Sequence, residues 1–157
     1  MPYIHLTTFI AAPIERVFNL SRSIDVHKLS MKPYAEEPIG GLRTGLMNLN
    51  DVVTWQAKHL FKERKLKVKV TALQSPFMFT DEMVEGDFTK LKHEHHFKKI
   101  ENGTIMIDQF WYDIPYGKMG AFFNTVFFNR YMEKLLQHRN GVIKQLAEGE
   151  QWKKYLP

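Results

Sequence analysis

The sequence predicts an α+β domain: a curved antiparallel sheet of about seven strands wrapped around a long C-terminal helix, with two short helices after the first strand. Three observations carry this. Two long alternating segments, residues 88–100 and 104–114, are joined by Glu101-Asn102-Gly103 and run straight into an aromatic-rich helical stretch. Upstream, further alternating segments follow one another through connections too short for parallel crossovers, so neighbouring strands pair antiparallel. Near the N-terminus, a single strand-like run feeds a helix through a proline. A chain of 157 residues fits one domain, spanning residues 1–157.

Residues 3–11 alternate and include Thr7, Thr8, Phe9 and Ile10, which favours a strand. Ala12-Pro13 opens a helix, because proline at the first helical position sacrifices no hydrogen bond, and Glu15 lies where the helix dipole favours an acid. Ile14, Val17, Phe18 and Leu20 form its apolar stripe. Residues 21–30 read as a second short helix with Ser23 as N-cap. Residues 34–41, with Pro38 and the Gly40-Gly41 pair, read as a loop that would serve as a lid. From there the period is two: strands at 42–46, 52–61, 64–74 after a Lys62-Glu63 connection, and 77–84 after Ser75-Pro76. Gly86-Asp87 turns into the segment 88–100. The final helix begins near Lys118 or Met119, carries Phe122 or Phe123, Val126, Phe127, Arg130, Leu135 and Ile143 at helical spacing, and ends at Gly149.

Composition excludes several function classes. Lys and Arg number 22 against 17 Asp and Glu, a net charge of +5, but the lysines alternate along strands (Lys65, Lys67, Lys69; Lys90, Lys92). That is the wet face of an antiparallel sheet, and no nucleic-acid partner is expected. Cysteine is absent, which removes disulfides, thiolate nucleophiles and Cys-based metal sites and suits a reducing cytoplasm. No leader pattern opens the chain and no apolar run is long enough to span a membrane. A cytoplasmic location is therefore expected; the sequence does not determine an oligomeric state.

The faces of segments 88–100 and 104–114 locate the chemistry. Leu91, His93, His95 and Phe97 share one face, and Met106, Asp108, Phe110 and Tyr112 share one face of the partner. Histidines, an aspartate and a tyrosine beside Phe and Met describe a cavity with polar groups in its wall rather than a dry core. His93 and His95, at i and i+2, can place two imidazoles on one metal ion, with His59, Asp81, Asp108 or Glu94 completing the set. No third ligand is fixed by spacing, so no metal and no cofactor is expected. The alternative is a hydrogen bond from His95 to Asp108 or Tyr112 across the hairpin. Asp51 reads as a turn cap. For catalysis, His95 with Asp108 would be an oriented base and Tyr112 or Arg130 would polarise a carbonyl. The serines lack any nucleophile signature, so no catalytic residue is assigned and binding is favoured over turnover.

The order β, α, α, six strands, long α resembles the helix-grip fold of the START-like (SRPBCC) ligand-binding superfamily, which includes polyketide cyclase/dehydrase-type proteins. The resemblance rests on Phe9-Ile10-Ala11-Ala12-Pro13-Ile14-Glu15-Arg16-Val17-Phe18, on the run from Gly45 through Trp55, and on Pro76-Phe77-Met78-Phe79-Thr80-Asp81. Gly103-Thr104-Ile105-Met106-Ile107-Asp108, Tyr112-Asp113-Ile114-Pro115 and Arg139-Asn140 complete it. It implies a cavity between sheet and C-terminal helix that holds a small, mainly hydrophobic or amphipathic molecule. The expected lining is Trp55, His59, Phe79, Asp81, Met83, His93, His95, Phe97, Met106, Asp108, Phe110, Tyr112, Phe123 and Phe127. Two rival readings are a cofactor-independent cyclase or dehydratase, and a partner-binding accessory module with its pocket closed.

Overall fold

The computed structural model describes residues 2–59, 62–114 and 124–157. Strand β1 (Tyr3–Ile10) leads into helices α1 (Ile14–Ser21) and α2 (Ile24–Ser30), followed by a 3₁₀ turn (Lys32–Tyr34). Then come β2 (Glu37–Gly41), β3 (Val52–His59), β4 (Lys62–Gln74), β5 (Met78–Glu85), β6 (Lys90–Ile100) and β7 (Gly103–Asp113). The chain closes with a π-helical segment (Asn124–Phe128), helix α3 (Asn129–Glu148) and a 3₁₀ turn (Gln151–Lys154). All seven strands form one antiparallel sheet in the order β1-β7-β6-β5-β4-β3-β2. Helix α3 lies against β1, α1 and α2. This is the α+β architecture expected.

Local chemistry fixes the ends of these elements. Pro13 precedes α1 in extended conformation, and Ser23 Oγ caps α2 by accepting the Val26 amide. Asp51 accepts the Asn48 amide at 2.7 Å, capping the turn into β3. Helix α3 stops at Gly149. Two expectations need correction. The segment read as a loop forms the 3₁₀ turn and β2, whereas the strand expected at 42–46 reduces to a single bridge between Ser23 and Leu46. Pro38 lacks an amide donor and is therefore tolerated on β2, an edge strand. Gly41, at φ +69°, ends that strand. Lys62 and Glu63, expected to connect two strands, pair with His59 and Lys58 instead. The expected start of the final helix lies outside the described residues.

Alternation along β6 and β7 buries the faces expected to be buried. The interior is not one apolar mass but two apolar clusters with polar groups between them. One cluster gathers Ile10, Val17, Phe18, Phe97, Met106, Ile143 and Leu146; the other gathers Ile4, Met31, Leu91, Phe110, Tyr112, Leu135 and Leu136. Between them lie His93 and His95 on β6, Asp108 on β7, and Arg139 and Asn140 on α3, all buried. Each of these three elements thus reads apolar, polar, apolar at matched heights.

Two glycines test the backbone argument in opposite directions. A Cβ on Gly41 would sit 2.0 Å from the Val52 carbonyl oxygen, at a positive φ, so Gly41→Ala should lower stability by about 2 kcal/mol or more. Gly141 is exposed within α3 and a Cβ there meets nothing within 4 Å, so Gly141→Ala should raise it by about 0.5–1 kcal/mol. Urea unfolding midpoints of the two variants check both signs.

Candidate functional site

A cavity of about 600 Å³ lies between the concave face of the sheet and α3, bounded also by α1, α2 and the segment leading into β2. Its middle is apolar, with Met31, Trp55, Leu66, Leu91, Phe110 and Leu135 among the walls. Polar groups meet it in two places.

The inner group is the layer between the two apolar clusters. Asp108, with no solvent exposure, receives His93 Nε2 at 2.7 Å on Oδ1 and Asn140 Nδ2 at 2.7 Å on Oδ2. Arg139 Nη1 stands 3.6 Å from the same Oδ1, and the guanidinium also donates to Asn140 Oδ1 and the Ser21 carbonyl. His95 Nε2 donates to Asp81 Oδ2 at 2.8 Å. Strand register places His95 opposite Asp108 and His93 opposite Asp81. The hydrogen bonds therefore run crosswise, each histidine to the carboxylate diagonal to it, as a twisted sheet permits. The expected His95–Asp108 bond is corrected accordingly: His95 Nδ1 lies 3.5 Å from Asp108 Oδ1, and its strong bond is to Asp81.

Electrostatics follow from this arrangement. Burial, then the adjacent His95, push the His93 imidazole down to about 4, against the opposing pull of Asp108. Burial works against ionisation of Asp108, but the histidine hydrogen bonds and Arg139 outweigh it and hold the carboxyl well below its ordinary value. Asp81 is likewise lowered, burial being outweighed by His95, His93 and Arg139. Both carboxylates are therefore ionised near neutrality and His93 is neutral.

Donor atoms of Asp81, His93 and His95 lie within 4.8 Å of one another, close enough to raise the question of a metal site. The two imidazole rings are stacked, with centroids 3.7 Å apart and planes 29° apart. Their Nε2 atoms are turned to opposite neighbours, that of His93 to Asp108 on β7 and that of His95 to Asp81 on β5, instead of converging on one ion at about 2 Å. Both Nε2 atoms are also held by carboxylates. The arrangement is an acid–base network.

Of the outer group only His59 was expected. Glu36, from the segment read as a loop, accepts His27 Nε2 at 2.6 Å and lies 3.9 Å from His59 Nε2. His59 Nδ1 meets the Tyr131 hydroxyl at 2.7 Å. Burial lowers His59 and raises Tyr131 to about 12, so the neutral phenol donates to the neutral imidazole. Tyr34 packs its ring on His59, 5.0 Å between centroids, and edge-on to Tyr131 at 6.1 Å, which ties the expected lid to β3 and α3.

Of the expected lining, Trp55, His59, Phe79, Asp81, His93, His95, Phe110 and Phe127 border the cavity. Phe97 instead packs on Phe18 in the first apolar cluster, Met106 receives the Ser21 hydroxyl, and Met83 packs against the second cluster. Asp108 sits behind the histidines, and Tyr112 donates its hydroxyl to Asn129 Oδ1. None of these five borders the cavity; Phe123 lies outside the described residues. Arg130, offered as a carbonyl polariser, is exposed, and the buried arginine is Arg139. Helix residues Phe128, Tyr131, Met132, Leu135, Leu136 and Arg139 do border it, and their i, i+3, i+4 spacing was the signal that could have found them.

Comparison with known proteins places the fold. No protein-family model and no curated protein matches the sequence. Among solved structures, the protein TTHA0849 from Thermus thermophilus is similar with a TM-score of 0.73 at 17% identity, over 93% of this chain and 99% of that one. CV1439 from Chromobacterium violaceum gives 0.67 at 13% identity over 96% and 100%. The major latex-like protein 151 of Panax ginseng gives 0.65 at 12% over 94% and 98%. The chain has the helix-grip fold. Among the described residues, no helix is long and apolar enough to cross a membrane.

The His93 shift has a pH consequence. Its folded value, about 4, lies below the unfolded value of 6.5, so the unfolded chain takes up the proton first as pH falls. Stability should drop by about 2–3 kcal/mol between pH 6.5 and 4 from this group. The lowered Asp81 and Asp108 act in the window below about 3.8. Urea unfolding at pH 7, 5.5 and 4.5 should show the slope, and His93→Gln should remove most of it, leaving the smaller share of His59.

Proposed function

We propose that this protein binds a small, mainly hydrophobic molecule in the cavity between sheet and α3, without turning it over. The observation that carries the reading is the 600 Å³ space itself, within the range of small-molecule sites and walled by Met, Phe, Trp and Leu side chains around a few polar groups. The helix-grip resemblance points the same way. Adaptable Met31, Met47 and Met132 in the wall suit a site that conforms to its ligand. A space of this size weighs against an accessory module with a closed pocket.

The two crossed Asp–His pairs favour a second reading, a cofactor-independent enzyme of the cyclase or dehydratase type in which a carboxylate-oriented imidazole moves a proton. Binding is preferred because the Arg139 guanidinium is engaged with Asn140, Ser21 and Asp108, and the described wall offers no nucleophile held by a base.

Ala57, buried on β3, borders the cavity. Ala57→Trp should fill it and weaken binding of 1-anilinonaphthalene-8-sulfonate at least tenfold by fluorescence titration, with an unchanged far-UV circular dichroism spectrum. Equal binding by native protein and variant would place the probe elsewhere and remove the basis of the reading.

A further inference from the structure

Two polar atoms in the outer group face each other across a gap. Glu36 Oε2 and His59 Nε2 are 3.9 Å apart, and among the described residues neither atom takes part in a hydrogen bond. Their companion atoms are committed: Glu36 Oε1 accepts His27 Nε2 at 2.6 Å, and His59 Nδ1 meets the Tyr131 hydroxyl at 2.7 Å. Both side chains border the cavity and keep part of their surface open, 10% for Glu36 and 21% for His59. His27 lies against Trp55 with ring centroids 4.3 Å apart, and Tyr34 lies against His59 at 5.0 Å, packing that holds both groups where they stand. Burial lowers the His59 imidazole, so near neutrality the ring carries one proton. A hydroxyl turns to donate or accept, whereas a carboxylate only accepts. The proton therefore rests on Nε2, on the carboxylate side, with Tyr131 donating to Nδ1. A separation of 3.9 Å is too long for a direct bond. It suits one oxygen set to the side, about 2.8 Å from each atom.

We infer that this gap is the polar subsite of the cavity: it takes the alcohol or phenol hydroxyl of an otherwise apolar ligand, the oxygen accepting from His59 Nε2 and donating its proton to Glu36 Oε2. The inference rests on the binding reading above and adds to it the ligand class and the end of the cavity at which the polar group lies. Only a group that both donates and accepts satisfies the two atoms together. An ether or ketone accepts from Nε2 but turns a lone pair on the carboxylate. A protonated amine donates to Glu36 but meets the Nε2 proton, with the Arg64 guanidinium also on the wall. A ligand carboxylate is repelled by Glu36, and the arginine that would offset this is paired with Asp87 at 2.8 Å. A hydroxyl proton on the carboxylate is a charge-assisted bond, the stronger kind.

The test compares two probes of nearly equal shape, 2-naphthol and 2-methoxynaphthalene, by isothermal titration of the whole chain. The native protein should bind 2-naphthol about tenfold more tightly, because the ether leaves the carboxylate oxygen unpaired. His59→Phe keeps a flat ring against Tyr34 and should bring the ratio to about one, and Glu36→Leu should do the same. Taking the ratio of two probes within each variant cancels any loss of affinity common to both. A measurement on native protein guards against variants that fail to fold: the His59 ring resonances should shift more with 2-naphthol than with the ether. Equal affinities of the native protein for the two probes, equal His59 shifts, or a preference that persists undiminished in either variant would overturn the subsite and leave the cavity reading standing. Binding of neither probe would overturn the cavity reading and this one with it.

Discussion

One buried carboxylate organises the interior. Asp108 sits on the β6–β7 hairpin with no solvent exposure, and a charge in that position persists only if every neighbour is arranged around it. Four groups meet that demand: His93 and His95 from the adjacent strand, Arg139 and Asn140 from the C-terminal helix. Because the partners come from two different layers, the carboxylate fixes how far along the sheet α3 lies. A slip of one helical turn would put Leu135 or Ile143 against Asp108 and leave the carboxylate largely unpaired.

That constraint bears on the cavity. Apolar side chains alone would close the space between a curved sheet and a helix, since close packing is favourable everywhere it can be reached. Here the polar layer separates two apolar clusters, and the histidines, paired crosswise and stacked, form a rigid floor that cannot collapse inward. The second polar group, Glu36 with His27, His59 and Tyr131, links α2, β3 and α3 on another side. The space between is walled by side chains that need no partner, which is the arrangement a hydrophobic ligand with one polar end would fill.

Much of this was legible in the sequence. The period of two along β6 and β7 named the inward-facing residues from Leu91 to Phe97 and from Met106 to Tyr112, because each strand carries apolar side chains that must be buried, though it passed over the buried Thr104. Side-chain pairing was not legible. His95 lies opposite Asp108 in register, yet twist sends it to Asp81 on the other neighbour, and nothing in one strand's pattern tells which neighbour wins. Glu36 was missed because Pro38 and two glycines disguise an edge strand as a loop. The helix stripe was read in the wrong phase before Asn129: the π-helical turn at Asn124–Phe128 holds more residues per turn than an α-helix. Val126 and Arg130 therefore face solvent while Phe128, Met132 and Arg139 face the cavity. Arg139-Asn140 stood out as a pair, but their task depends on the heights of β6 and β7, which only the assembled sheet sets.

The central claim is that the space beneath α3 is a ligand site, and the methionines report on it directly. Met31, Met47 and Met132 border the cavity, whereas Met78 and Met106 do not. In protein labelled with ¹³C at the methionine methyl groups, titration with naphthalene followed by two-dimensional NMR should shift the first three resonances and leave Met78 and Met106 in place. Saturable shifts confined to Met78 or Met106, or no shift in any of the five up to the solubility limit of the probe, would contradict the account.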